Sequence, residues 1–189
     1  VLSIMNGFDK EMRDRILSVV PHVTLYKHDF LSSSLPEEST INSHPGVVGA
    51  EYFSTFDSLI FSGKRADAAS VLVFDFGPST QEARLLRFTS LGELANLQNS
   101  DESIIIGSAM ARRLKVSIGD KVSLILPGNK SKGYHSVSAR LAIQGLIKTG
   151  TQVDENLVIL PMHAAIDKFP MEAMRSAVNI YIEDVFDAP

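Results

Sequence analysis

Five histidines, His22, His28, His44, His135 and His163, are the side chains best suited to metal binding or proton transfer. None stands in an H-x-H or H-E-x-x-H arrangement. His22 and His28 can share one strand face, but at about 3.3 Å per residue they sit about 20 Å apart, too far for one metal ion. They read as scattered surface or capping residues. The string Gly107-Ser108-Ala109-Met110-Ala111-Arg112 follows a strand-like run and opens a helix-like one, the setting in which backbone N–H groups hold phosphate. It lacks both G-x-G-x-x-G and G-x-x-x-x-G-K-[ST], so Gly107 reads as a steric requirement. Ser32, Ser33 and Ser34 lack the G-x-S-x-G frame of a nucleophile elbow. The acidic pairs Glu37-Glu38 and Asp101-Glu102 fall in polar breaks, and Asp154-Glu155 reads as a turn before a strand. With no cysteine, a disulfide framework and a thiolate zinc site are excluded. The residues predict no catalytic group, no cofactor and no metal.

The segment between Leu126 and Leu141 carries more information. It holds Lys130, Lys132, Tyr134, His135 and Arg140 in a chain whose 22 acidic residues outnumber its 18 basic ones. The flanking runs pattern as a hairpin, yet the loop over 127–138 exceeds the usual two to five residues. Long loops on rigid hairpins are often binding elements, and positive charge suits an acidic partner surface. A solvated loop without a partner fits the same pattern.

These positions depend on the elements around them. Apolar residues at 1, 5, 8, 12, 16 and 19 form one stripe of a helix over 1–20, and Pro21 ends it. Met5, Phe8 and Met12 lie on that stripe, and residues 1–8 are its most apolar part. A helix leaving a membrane and an amphipathic helix packed on a core both fit. Strands are expected over 22–30, 47–62, 69–76, 104–106, 121–126, 139–147, 157–160 and 177–183. Helices are expected over 35–43, within 79–100, over 108–114 with Ser108 as its N-cap, and over 162–169. There is no repeat at a period of 20–50 residues.

Mixed strands and helices make this an α+β chain. Its apolar share of 44% is ordinary for a globular protein. The net charge of −4 argues against a dedicated nucleic-acid binder. Purely apolar runs are short, whereas a membrane-spanning helix needs roughly 20 residues. The Gly77-Pro78 break marks a boundary, with 77–149 inserted between the two ends.

The segments Met5-Asn6-Gly7-Phe8 and Arg15-Ile16-Leu17-Ser18-Val19-Val20-Pro21-His22 resemble the start of the periplasmic domain in the LolC/LolE family. These are membrane subunits of a lipoprotein-releasing ABC transporter. Ile104-Ile105-Ile106-Gly107, Leu114-Lys115-Val116 and Gly119-Asp120-Lys121-Val122 are similar to the wider MacB-like periplasmic core. Arg140-Leu141, Gly145-Leu146-Ile147 and Asp184-Val185-Phe186-Asp187 continue the likeness. It covers essentially the whole chain.

The resemblance implies a MacB-like fold. Residues 21–76 and 150–189 form a Porter-like βαβ-type unit. Residues 77–149 form a β-rich Sabre-like unit carrying the long loop 127–139, and 1–20 continue the first transmembrane segment. It implies a non-enzymatic role at the periplasmic face of the Gram-negative inner membrane, with ATP hydrolysis in separate cytoplasmic subunits. The implied partners are a LolC-like membrane subunit, the ATPase subunits, a lipoprotein and the chaperone LolA. Lys130, Lys132, Tyr134, His135 and Arg140 become expected partner contacts, and Met5, Phe8 and Met12 expected lipoprotein- or subunit-facing residues. In LolC-like members the loop is a proline-containing hook beside a basic pad. Here 128–139 holds no proline, and the pad positions fall on Ser123, Ala139 and Arg140. Those departures, with Val20-Pro21-His22 and Val185-Phe186, look more like the LolE-like branch. A chaperone-docking LolC-type subunit and an adaptor-binding domain of a MacB-like efflux pump are the alternatives.

Overall fold

The computed structural model describes residues 23–27, 38–74, 89–150 and 152–182. The expected helix over 1–20, with Met5, Phe8 and Met12, lies outside them. The chain packs as two compact units, residues 1–52 with 177–189 and residues 53–176.

In the first unit β1 (Val23–Tyr26) runs antiparallel to the end of β8 (Arg175–Ile182), with Val23 opposite Ile180 and Tyr26 opposite Ala177. The Thr24 hydroxyl donates to Asn179 Oδ1 at 2.8 Å. The short helix α1 (Glu38–Asn42) buries Ile41. Gly46, at φ +85°, turns the chain into β2 (Val47–Ser62). The buried Glu51 carboxylate accepts from the Tyr181 hydroxyl at 2.9 Å.

The second unit is a closed barrel. β2 makes a hairpin with β3 (Arg65–Phe74) through the two-residue turn Gly63-Lys64, where Gly63 supplies φ +57°. β3 lies parallel to β7 (Leu157–Pro161), and β7 antiparallel to β4 (Ser103–Gly107). β4 is parallel to β6 (Val137–Ile147), and β6 antiparallel to β5 (Lys121–Leu126). β5 then pairs back onto β2, with Ile60 opposite Leu124. Six strands thus close without a free edge.

Strand patterning explains the core. On β5 Val122, Leu124 and Leu126 are buried, and on β6 Ala139, Leu141 and Ile143, alternating with more exposed positions. β4 and β7 are buried throughout, as the apolar runs 104–106 and 157–160 require. Helix α2 (Leu91–Gln98) covers β4, β6 and β7 and buries Leu94 and Leu97. Its start is a capping box: Glu93 N–H donates to Ser90 Oγ at 3.3 Å, and Ser90 N–H to Glu93 Oε2 at 2.7 Å. Burial pushes the Glu93 carboxyl upward. The Ser90 N–H, the Thr89 and Ser90 hydroxyls and the Leu146 backbone outweigh this and hold it below its ordinary value.

Helix α3 (Ser108–Leu114) buries Met110, Ala111 and Leu114, and helix α4 (Met162–Lys168) buries Ala164 and Ala165. The Phe56 and Phe169 rings meet at 5.1 Å. Ser108 is not an N-cap. β4 passes into α3 with no loop, so Gly107 holds the cap position and Ser108 is already helical. The α+β class is as expected. β3 and β7, expected in the Porter-like unit, and β4, β5 and β6, expected in the Sabre-like unit, share this barrel.

The β2–β5 seam is directly testable. Leu59 lies opposite Ile125, and neither side chain is fully buried. In this cysteine-free chain, Leu59→Cys with Ile125→Cys is expected to form a disulfide on mild oxidation, read as a mobility shift reversed by reductant. Absence of the cross-link would show the barrel open at that seam.

Candidate functional site

The β5–β6 connection, residues 127–136, is the candidate site. It is folded rather than extended. Asn129 N–H donates to the Tyr134 carbonyl at 2.9 Å, and Tyr134 N–H to the Asn129 carbonyl at 3.2 Å. Between them residues Lys130–Lys132 make one 3-10 turn. The Asn129 side chain caps it, with Oδ1 accepting from Ser131 N–H at 3.0 Å and Lys132 N–H at 3.2 Å. Gly133 ends the turn at φ +80°. The Ser136 hydroxyl donates to the Leu126 carbonyl at 3.1 Å, tying the loop's base shut. Gly128 is required by space, since a Cβ there would lie 2.7 Å from the Ser136 nitrogen.

Lys130, Lys132 and His135 are exposed on this loop, and Tyr134 packs partly against the core. Beneath it is a cleft of about 200 Å³, lined by Phe56, Asp57, Leu126, Asn129, Lys132, Tyr134, Ala173 and Arg175. Arg175 pairs with Asp57 at 3.1 Å. Arg140 is not gathered with the others. It sits along β6, exposed and opposite Ser123. Ala139 leaves the expected pad altogether. It lies opposite Leu124 and is 8% exposed, because its place in the alternation faces the core.

Of the histidines, His163 lies 3.1 Å from Asp101, and His44 and His135 stand on separate elements. Among the described residues no three His, Asp or Glu side chains converge as a metal site.

Sequence reasoning missed the best-organised carboxylate. Asp154, expected in a simple turn, is 4% exposed. Its Oδ1 accepts from Thr149 N–H at 2.8 Å and the Thr149 hydroxyl at 2.7 Å, and its Oδ2 from Gly150 N–H at 3.0 Å. Burial raises its pKa, but these donors and the nearby Arg112 charge prevail and hold it below its ordinary value. A Cβ on Gly107 would run into the Asp154 backbone, so the steric reading of that glycine holds. Asp154 five residues after a Thr-Gly pair was the available signal.

Two outcomes follow from this geometry. Gly128→Ala forces backbone apart at the loop's base and should cost about 1–3 kcal/mol, measured as a lowered denaturation midpoint. Asp154, with its folded pKa below the unfolded value of about 3.9, stabilises the fold above that value. This contribution is lost as pH falls through the folded value. Asp154→Asn should therefore lower stability at neutral pH and flatten its acid dependence. An unchanged acid limb would separate the carboxylate from stability.

No family model matches the chain. It is 23% identical to the lipoprotein-releasing system transmembrane protein LolE of Haemophilus influenzae, over 99% of the chain and 47% of that protein. It is 27% identical to LolC of Neisseria meningitidis, over 100% of the chain and 46% of that protein. LolC of Xylella fastidiosa is 25% identical over 85% of the chain and 40% of that protein. The chain thus spans about half the length of the curated relatives it matches. Solved structures similar to it include the periplasmic region of MacB from Actinobacillus actinomycetemcomitans, with a TM-score of 0.47 and 11% identity over 80% of this chain and 64% of that one. The extracellular domain of the noncanonic ABC-type transporter YknZ from Gram-positive bacteria gives a TM-score of 0.46 and 12% identity over 89% of this chain and 78% of that one. Along essentially its whole length the chain is similar to both LolE and LolC, transmembrane proteins of the lipoprotein-releasing system.

Proposed function

We propose that this chain is the periplasmic domain of a LolE-like membrane subunit in an ABC transporter that releases lipoproteins from the Gram-negative inner membrane. The observation that carries the reading is the alignment with LolE and LolC across nearly all of the chain. On this reading it works beside a LolC-like subunit, cytoplasmic ATPase subunits hydrolyse ATP, and the lipoprotein passes to LolA. The domain itself is not an enzyme and acts through its surfaces. Met5, Phe8 and Met12 face the lipoprotein or a neighbouring subunit. Methionine suits that task, being flexible and polarizable enough to meet varied acyl shapes. Lys130, Lys132, Tyr134 and His135 offer a contact for an acidic partner surface, with Arg140 farther along the strand. The Porter-like and Sabre-like names belong to this same proposal.

The LolE-like reading is favoured over the LolC-like one by the loop, since residues 128–139 contain no proline. Only Arg140 keeps basic character among Ser123, Ala139 and Arg140. In the full-length protein in its native membrane, photo-crosslinkers at Met5, Phe8 and Tyr134 are expected to capture lipoprotein. Adducts only to a pump adaptor would favour the MacB-like efflux reading instead. Lys130→Glu with Lys132→Glu is expected to weaken transfer to the chaperone less than a charge reversal in the LolC-like subunit's loop. A complete block of transfer, with the complex assembled normally, would overturn the LolE-like assignment.

A further inference from the structure

The barrel registers contain a two-fold relation. β4 with α3 and β7 with α4 are the same length throughout: Ser103–Gly107 then Ser108–Leu114, and Leu157–Pro161 then Met162–Lys168. In both, strand passes into helix without an intervening residue. Matching Ser103 to Leu157 makes Ile105 equivalent to Ile159, and these two residues lie directly opposite each other. An antiparallel pair whose equivalent residues face each other has a two-fold axis between them.

The remaining pairings obey that axis, except that past Ile104 a bulge shifts the β4–β6 register by one residue and β3–β7 has no such shift. Ile104 pairs with Ile143, and its equivalent Val158 pairs with Val71. Ser103 pairs with Ala142, and Leu157 with Ser70. This makes β3 equivalent to β6. Ser70 in turn pairs with Asp57, and Ala142 with Lys121, which makes β2 equivalent to β5. The closing seam then falls on the opposite end of the same axis. Ile60 faces its own equivalent Leu124, flanked by Leu59–Ile125 on one side and Phe61–Ser123 on the other. The packing follows: Ile60 and Leu124, Val71 and Ile143, Ile104 and Val158, and Ile106 and Leu160 are all fully buried equivalents.

We infer that residues 57–168 are an intertwined internal duplication, in which each half is a hairpin followed by a strand–helix and each strand–helix packs on the other half's hairpin. Identities have diverged, and the repeat survives in register and burial. The hairpin ends expose the main asymmetry. The last pair of the first hairpin is Ser62–Arg65, and its equivalent in the second is Leu126–Val137. The first is bridged by Gly63-Lys64, the second by residues 127–136. The loop therefore occupies the place of a two-residue turn, and the barrel does not require it. It is an addition to one half of a symmetric frame. This inference is independent of the transporter reading.

The test is reciprocal exchange in this chain. Replacing 127–136 by Gly-Lys is expected to give a cooperatively folding protein with the same β-sheet signature. The loss of Tyr134 packing should lower its midpoint by no more than about 10 °C, where 1 kcal/mol corresponds to about 2–4 °C at this size. Placing the 127–136 segment between Ser62 and Arg65 should likewise leave cooperative unfolding intact. Loss of cooperative folding in either exchange overturns the equivalence.

Discussion

The pairing of β2 with β5 is the constraint on which the central unit rests. Without it the second unit would be an open sheet with β2 and β5 as its edges. With it, every strand from β2 to β7 has two neighbours, and the apolar rows of all six converge on one interior. That convergence lets side chains as different as Phe56, Met110 and Val122 share one core. It also explains the mixture of parallel and antiparallel pairs. Each parallel pair needs a crossover, and β4 reaches its parallel partner β6 through α3 and β5.

The connections that enter β4 and β7 each contain an ordered carboxylate. Glu93 closes the start of α2 in the first, and Asp154 gathers Thr149 and Gly150 in the second. In each case local N–H and hydroxyl donors outweigh the burial that would otherwise favour the neutral acid. The acids shape chain direction where no regular strand can. Arg113 adds a further tie, donating to Asp67 at 2.7 Å and to the Glu155 carbonyl.

Much of the local structure was legible in the sequence. Val47–Ser62, Ser108–Leu114 and Lys121–Leu126 form where apolar spacing and turn residues put them. What was not legible depended on tertiary partners. Ser108 looked like a cap because capping chemistry is local, whereas the missing loop after β4 is not. β6 begins at Val137 rather than Ala139 because Leu126 pairs with it across the hairpin. The repeat escaped notice because its halves share register rather than residue identity. At the candidate site the cationic residues of 130–135 were found from charge and loop length. The orientation of Ala139 and the role of Asn129 needed the fold.

The Asn129 cap has a consequence for recognition. A loop held by its own side-chain and backbone hydrogen bonds has already surrendered much of its conformational freedom. A partner docking on Lys130 and Lys132 would therefore meet a surface that owes little further ordering entropy on association. Such a contact can be brief and reversible yet selective.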